Sequence, residues 1–285
     1  MNGIGDGSGC FIYEDPQEAT HKHLTVWYHR PRCFGPETPI VMLLHGQDRA
    51  ASYFRDCWRE HAERIGFLAV APEFDSASFP GSEAYNRGNV IAAKGGADAV
   101  NPRRLWTYGI VDRVFERVRS MTGSQRTAFS LFGHSAGAQF AHRYLALTDG
   151  ACVDLAIAAN AGWYMVPRRD LPFPAGLGGL EVDDGAVARF FGRPLVLLLG
   201  DADTDTHADG LMQSPEAVAQ GPNRFARGQY YFALCRQEAA SMGTEFGWRV
   251  VVAPDVGHKD NEVAGPAAEL IAAHLAGLAS PEPDR

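Results

Sequence analysis

Residues Ala128–Gly137 read Ala-Phe-Ser-Leu-Phe-Gly-His-Ser-Ala-Gly. The first five are mostly apolar and of strand length, and the segment after them, Ala136–Leu147, has helical character. Between the two lies Gly133-His134-Ser135-Ala136-Gly137, a G-x-S-x-G pattern at a strand-to-helix junction. There the serine occupies a tight, strained turn that lifts its hydroxyl clear of the sheet. Gly133 and Gly137 flank it because a side chain at either place would crowd the turn. The helix start directs backbone N–H groups and its positive dipole end toward developing negative charge. The pattern marks Ser135 as a nucleophile; the competing reading is an ordinary strand-to-helix turn with a capping serine.

Outward from this turn, short β-rich runs recur. Phe11–Tyr13 and Leu24–Tyr28 come first, the second with Leu24, Val26 and Tyr28 in period-2 alternation. Ile40–Leu44, Phe67–Ala71, Val153–Ala158, Leu195–Leu199 and Trp248–Val252 are mostly apolar on both faces, like Ala128–Phe132. Parallel strands covered by helices on two sides have that character. Helical spacing marks Leu105–Met121, Ala136–Leu147, Asn223–Met242 and Glu262–Leu278. The alternation predicts βαβ units and a mostly parallel central sheet of about eight strands with helices on both faces. An antiparallel edge at the N-terminus is compatible with it. Two long irregular segments interrupt the order, Glu73–Pro102 and Val166–Gly185. Loops of that length are uncommon unless functional. No repeat or interdomain linker is evident, so a single domain over 1–285 is expected. Residues 1–9, with glycine at each odd position from Gly3, read as a flexible head, and residues 166–190 as a small cap insertion.

The 285 residues are 46% hydrophobic and 21% charged, which excludes a disordered chain. A formal net charge of −8 disfavours nucleic acid or an anionic membrane as partner. No apolar run approaches the roughly 20 residues needed to span a bilayer. The N-terminus MNGIGDGSGC does not resemble a signal peptide, so a cytoplasmic location is expected. Five scattered cysteines with no CxxC pair read as reduced, mostly buried thiols.

A serine hydroxyl is a weak nucleophile and needs a neighbouring base. Of ten histidines, His258 stands in a glycine-containing loop after the last strand and before the last helix. Chemistry gathers at the carboxyl ends of strands in open α/β sheets. The base in turn needs a carboxylate to hold its tautomer. The run Gly200-Asp201-Ala202-Asp203-Thr204-Asp205 after Leu195–Leu199 offers several, and its order leaves Asp201, Asp203 and Asp205 open. The same aspartates imitate the start of a calcium loop. Thr206 and Met212 stand where that loop needs glycine and glutamate, so no metal site is expected.

GHSAG, preceded by the strand-plus-His-Gly of VMLLHG at 41–46 and followed by acidic and histidine loops in the order Ser, Asp, His, resembles the α/β-hydrolase superfamily from about residue 10 to 278. Within it, LHGQDRAASYF at 44–54 and GHSAGAQFAHRY at 133–144 are similar to esterases of the polyhydroxyalkanoate depolymerase and feruloyl esterase type. Those relatives are often secreted, and this sequence departs from them in its N-terminus. The resemblance implies the α/β-hydrolase fold and a triad of Ser135, His258 and Asp203, the acid lying three residues after the glycine. It further implies an oxyanion hole built from the backbone N–H groups of Ala136 and Gln47, with the Gln47 side chain as an alternative donor.

His45, Gly46, His134, Trp163 and Tyr164 are candidates to contact substrate. His45 and Gly46 sit in the oxyanion loop, where His45 also reads as a hydrogen-bonded brace; His134 is beside the serine with its side chain expected to point away, and Trp163 and Tyr164 follow the Val153–Ala158 strand. For the aromatic pair, packing under the 166–190 insertion is the equal alternative. The expected activity is hydrolysis of a small-molecule or oligomeric carboxylic ester by a serine hydrolase, without a cofactor. An amidase or peptidase with the same triad, and a silent binding protein on the same fold, are the rival readings.

Overall fold

The computed structural model describes residues 3–16, 23–92 and 99–277. The strands are β1 (Gly7–Glu14), β2 (His23–Arg30), β3 (Ile40–Leu44), β4 (Leu68–Pro72), β5 (Phe129–His134), β6 (Val153–Ala159), β7 (Leu195–Gly200) and β8 (Arg249–Ala253). They form one sheet in the order β1-β2-β4-β3-β5-β6-β7-β8. β1 and β2 pair antiparallel, as do β2 and β4, and the remaining pairs are parallel. The helices are α1 (Ala51–Ile65), α2 (Gly81–Ala84), α3 (Gly109–Thr122), α4 (Ala136–Leu147), α5 (Asp184–Gly192), α6 (Pro215–Val218), α7 (Arg224–Ser241) and α8 (Asp260–Leu275). This is the α/β-hydrolase architecture, with the sequence order reversing around β3 and β5. A crevice opens at such a switch point, at the carboxyl ends of the strands.

The sheet divides two apolar layers. Val41, Leu43, Phe132, Ile157 and Val196 pack with Phe54 and Trp58 of α1 and with Val263, Ala267 and Ile271 of α8. Met42, Leu44, Leu131, Ala158 and Leu197 face the other layer, with residues of α3, α4, α5 and α7. Alternate residues of one strand serve opposite layers, which is why the strands carry no polar face. Trp58 lies 4.6 Å, centroid to centroid, from the ring of Phe132, which is in the strand that leads to Ser135. Truncating such a buried ring costs about 3–5 kcal/mol.

Several elements differ from the sequence expectation. α1 and α5 are additional helices, as are the four-residue α2 and α6. α1 buries Ala51, Phe54, Trp58 and Ala62 at helical spacing, and Gly66 ends it at φ 85°, donating to the Ala62 carbonyl. α3 starts at Gly109 instead of Leu105, because Arg103–Leu105 form a separate 3₁₀ turn followed by extended Trp106. α8 ends at Leu275, and residue 278 of the expected helix lies outside the described residues.

The N-terminal glycines are not a flexible head. Gly7–Gly9 pair with Tyr28–Arg30, Ile4 is buried, and the Gly5 N–H donates to the Tyr28 hydroxyl at 3.0 Å. A Cβ at Gly9 would lie 2.4 Å from that hydroxyl, so glycine lets the ring lie across the strand. Met1 and Asn2 fall outside the described residues. The thiols also differ: Cys235 is buried, whereas Cys10 and Cys33 are exposed. Among the described residues no helix is long and apolar enough to cross a membrane.

Candidate active site

Ser135 sits at φ 54°, ψ −112°, between β5 and α4. A non-glycine residue with positive φ is strained, and the surroundings must hold it there. The Ser135 N–H donates to the Ala159 carbonyl at 3.0 Å. The two flanking glycines are sterically required. A Cβ on Gly133 would lie 2.2 Å from the Gly137 carbonyl oxygen, and one on Gly137 would lie 2.0 Å from the Leu44 oxygen. The helix start is thereby pressed against the end of β3, beside the loop holding Gln47.

His258 reaches the serine from the loop after β8. The Ser135 hydroxyl donates to His258 Nε2 at 3.0 Å, and His258 Nδ1–H donates to Asp203 Oδ2 at 2.7 Å. Asp203 is buried, with Arg224 of α7 lying 3.5 Å from its other oxygen. Burial pushes the His258 imidazole below its ordinary value. The Asp203 hydrogen bond opposes that effect, and the neighbouring His134 adds to it. An imidazole held neutral near pH 7 is able to accept a proton.

The supporting loops are locked to one another. Asn160, at the end of β6, accepts from the Gly200 N–H at 2.8 Å and donates to the Gly257 carbonyl at 2.9 Å. It therefore ties the strand leading to Asp203 to the loop carrying His258. A Cβ on Gly200 would lie 2.2 Å from the Val256 carbonyl, so glycine permits these loops to interlock. Asp201 and Asp205 serve backbone instead, accepting from the Asp255 and His207 N–H groups at 2.7 and 2.8 Å.

A cavity of about 440 Å³ surrounds Ser135 and His258, lined also by His45, Gly46, Gln47, His134 and Ala136. Ala136 is the first residue of α4, so its N–H has no partner within the helix. It and Gln47 flank the same cavity. Gly46 lies 3.8 Å from the serine Cβ, measured from where its own Cβ would stand, so there is room for a small side chain.

His45 lines this cavity but offers no free polar atom. The Phe74 N–H donates to its Nε2 at 3.0 Å, which fixes the proton on Nδ1, and Nδ1 donates to the Gly46 carbonyl at 2.9 Å. His45 is a brace for the loop instead of a substrate contact. Burial pushes its imidazole down to about 4, so it stays neutral. His134 donates from Nδ1 to Asp260 of α8 at 2.6 Å, with its ring centroid 4.7 Å from that of His258. This second histidine–carboxylate pair has no signal in the sequence, because Asp260 comes from 126 residues away.

The aromatic pair divides. Trp163 lines a second cleft, of about 380 Å³, which shares Gln47, Ala136, Gln139 and Gly210 with the first. Tyr164 is fully buried and stacks on Tyr231 at 4.4 Å, so it does not line either space and the substrate role is corrected to packing. Consecutive residues in extended chain point opposite ways, so one enters the cleft and the other the core. Residues 166–190 likewise supply none of the lining. Leu177 donates to the Arg168 carbonyl at 2.7 Å and Val166 to the Ala175 carbonyl at 2.9 Å. This fold-back packs Ala175 against Trp163 from behind, a support instead of a cap over the serine.

No protein-family model matches the chain, and comparison with curated proteins gave no match. Solved structures do. Poly(aspartic acid) hydrolase-1 from Sphingomonas sp. KT-1 is 34% identical over 94% of this chain and 99% of its own, with a TM-score of 0.89. LpqC, a poly(3-hydroxybutyrate) depolymerase from Bordetella parapertussis, is 34% identical over 96% of this chain and 94% of its own, at 0.88. An S-formylglutathione hydrolase from Agrobacterium tumefaciens shares the fold at 15% identity and a TM-score of 0.63. With its eight-stranded sheet, its serine turn and two relatives at 34% identity over nearly their whole lengths, the chain belongs to the esterase-like α/β-hydrolase family and is a hydrolase.

Proposed function

We propose that the protein cleaves carboxylic esters through an acyl-enzyme, with Ser135 as nucleophile. The observation that carries this reading is the unbroken hydrogen-bonded chain from the Ser135 hydroxyl through His258 to Asp203. In this reading His258 Nε2 takes the serine proton as the hydroxyl attacks the carbonyl. Asp203 keeps the other imidazole proton on Nδ1 and stabilises the imidazolium that forms. The backbone N–H groups of Ala136 and Gln47 receive the oxyanion, each donor worth about 3–4 kcal/mol in the transition state. His258 then returns its proton to the departing alcohol. A water deprotonated by the same nitrogen releases the acid and regenerates the serine. No step in this sequence calls for a cofactor.

Of the relatives named above, the two at 34% identity are a depolymerase of an ester polymer and a hydrolase of poly(aspartic acid), a polymer joined by amide bonds. That observation favours one second reading, amide hydrolysis by the same residues. Rates on matched ester and amide substrates separate the two. The reading as a whole is tested with a fluorophosphonate probe. It should label the folded protein once, and Ser135→Ala should abolish both labelling and hydrolysis of 4-nitrophenyl esters. A folded wild type that takes no label and turns over no ester overturns the proposal.

A further inference from the structure

The cleft beside the serine cavity has a charge pattern that the triad does not use. Arg49 and Arg87 line it, and among the described residues its wall carries no Asp or Glu. Arg49 is held rigidly: its guanidinium donates to the Phe74 carbonyl and to the Gly81 carbonyl at 2.8 Å, and lies 4.2 Å from the centre of the Tyr85 ring. It makes no ion pair among the described residues. Burial pulls its pKa down, and Tyr85 and Asp75 oppose that shift without forming an ion pair with it. Arg87 is paired with exposed Glu83 at 2.8 Å, yet its Nε is buried and has no hydrogen-bond partner among the described residues. Behind the wall, Arg143 is fully buried and has only carbonyl and amide oxygens around it, the nearest at 3.3 Å, with its guanidinium 5.4 Å from the Trp163 ring. Across Ser135 the balance of charge reverses, because Asp48, Asp209 and Asp260 line the serine cavity against one arginine, Arg224, and none of the three aspartates lines the cleft.

We infer that this cleft is the subsite for a carboxylate carried by the substrate, so that the preferred esters are anionic, with the negative group on the Arg49 and Arg87 side of the scissile bond. The inference rests on the serine-hydrolase reading for its catalytic arm. A confined space lined by a guanidinium group without an ion pair concentrates anions and orients them. Arg49 is already positioned by backbone carbonyls, so little ordering entropy is lost when it meets a ligand. With Arg87 partly neutralised by Glu83, the wall offers about one free positive charge, which matches a monoanionic carboxylate better than a doubly charged phosphate.

The test compares the mono-4-nitrophenyl ester of adipic acid with 4-nitrophenyl hexanoate on wild type, Arg49→Gln and Arg87→Gln. Wild type should prefer the anionic ester in kcat/KM by about tenfold or more at low salt, and added sodium chloride should shrink the preference. Either substitution should lower the ratio, with the loss appearing in KM of the anionic ester. Arg87→Gln keeps the test decisive where Arg49→Gln, which removes a loop brace, fails to fold. An enzyme that turns over the hexanoate with a ratio of one or less overturns the inference and leaves the hydrolase reading intact. So does an unchanged ratio in both folded variants. If neither ester reacts and the fluorophosphonate does not label, the hydrolase reading falls. Calorimetric titration with monomethyl adipate then decides the cleft: binding weakened by Arg49→Gln or Arg87→Gln supports it, and no binding overturns it.

Discussion

Replacing Gly137 by alanine adds one methyl group at the place where α4 meets the end of β3. That carbon would stand 2.0 Å from the Leu44 carbonyl oxygen, 2.6 Å from its carbon and 2.8 Å from the His45 oxygen. All three are backbone atoms, so no side chain can swing away. Restoring ordinary contact requires the helix start to retreat by about 1 Å or more, and overpacking of this kind costs roughly 1–3 kcal/mol. For a chain of this size, melting should fall by roughly 2–10 °C. The catalytic loss should be larger in proportion. The retreat carries the Ala136 N–H and the Ser135 hydroxyl away from Gln47 and His258, and a 1 Å misplacement can lower a rate by about 100-fold. Gly192→Ala is the matched control. It lies in α5, and a Cβ there meets nothing within 4 Å, so helix propensity alone should leave stability equal or raise it by up to about 1 kcal/mol. The assay is kcat/KM on a 4-nitrophenyl ester together with fluorophosphonate labelling rate and a thermal melt. A Gly137→Ala variant that melts like wild type and keeps its rate within about threefold would refute the steric reasoning, since a 1 Å shift should cost far more.

Three further outcomes are expected. Asp203→Asn should lower kcat on the order of 10³- to 10⁴-fold by releasing the wrong imidazole tautomer, whereas Asp201→Asn, which keeps an oxygen for the Asp255 N–H, should stay within a few-fold; steady-state kinetics on the pair decides. Since burial depresses His258, the acid limb of kcat/KM should fall below about 6.5, and His134→Gln should move it upward, because His134 is one of the groups pushing His258 down. Finally, His45 is neutral in the folded chain down to about pH 4, while an unfolded histidine takes its proton near 6.5. The unfolded state therefore binds the proton first, and stability present above pH 6.5 is lost as pH falls toward 4, by about 3 kcal/mol from this residue. Fully buried His142, which accepts from the Met165 N–H and is likewise depressed, acts in the same direction. Urea titrations between pH 7 and 4 should show the slope, and His45→Gln should flatten it.

The legible part of this protein is the part written in short-range order. Ile40–Leu44 is a strand with the bounds its apolar run predicts, and Ala136–Leu147 a helix with the bounds its composition predicts. α1 was equally available from Phe54, Trp58 and Ala62 at four-residue spacing, but only a few strong apolar residues among many charged ones carry the stripe. The long-range parts left no such trace. Asp260 beside His134 and Arg224 beside Asp203 arrive at the site from the starts of α8 and α7, and nothing in either local sequence marks a partner. The Gly3–Gly9 series looks like a linker until the Tyr28 ring is seen lying across it.

By itself the sequence determined the alternating strands and helices, the strained serine turn with its two obligatory glycines, and the loop order that offers an acid and then a histidine. Those features follow from backbone sterics and side-chain periodicity, which act over a few residues. Only the tertiary structure decided which aspartate of the Asp201–Asp205 run faces His258, that Trp163 opens to the cleft while Tyr164 is sealed in the core, and that His45 has both nitrogens engaged by backbone. The same holds for the change in charge balance across Ser135, since Arg49 and Arg87 gather on one side only when the chain is folded. Burial, partner geometry and local field belong to residues distant in sequence, and packing alone brings them together.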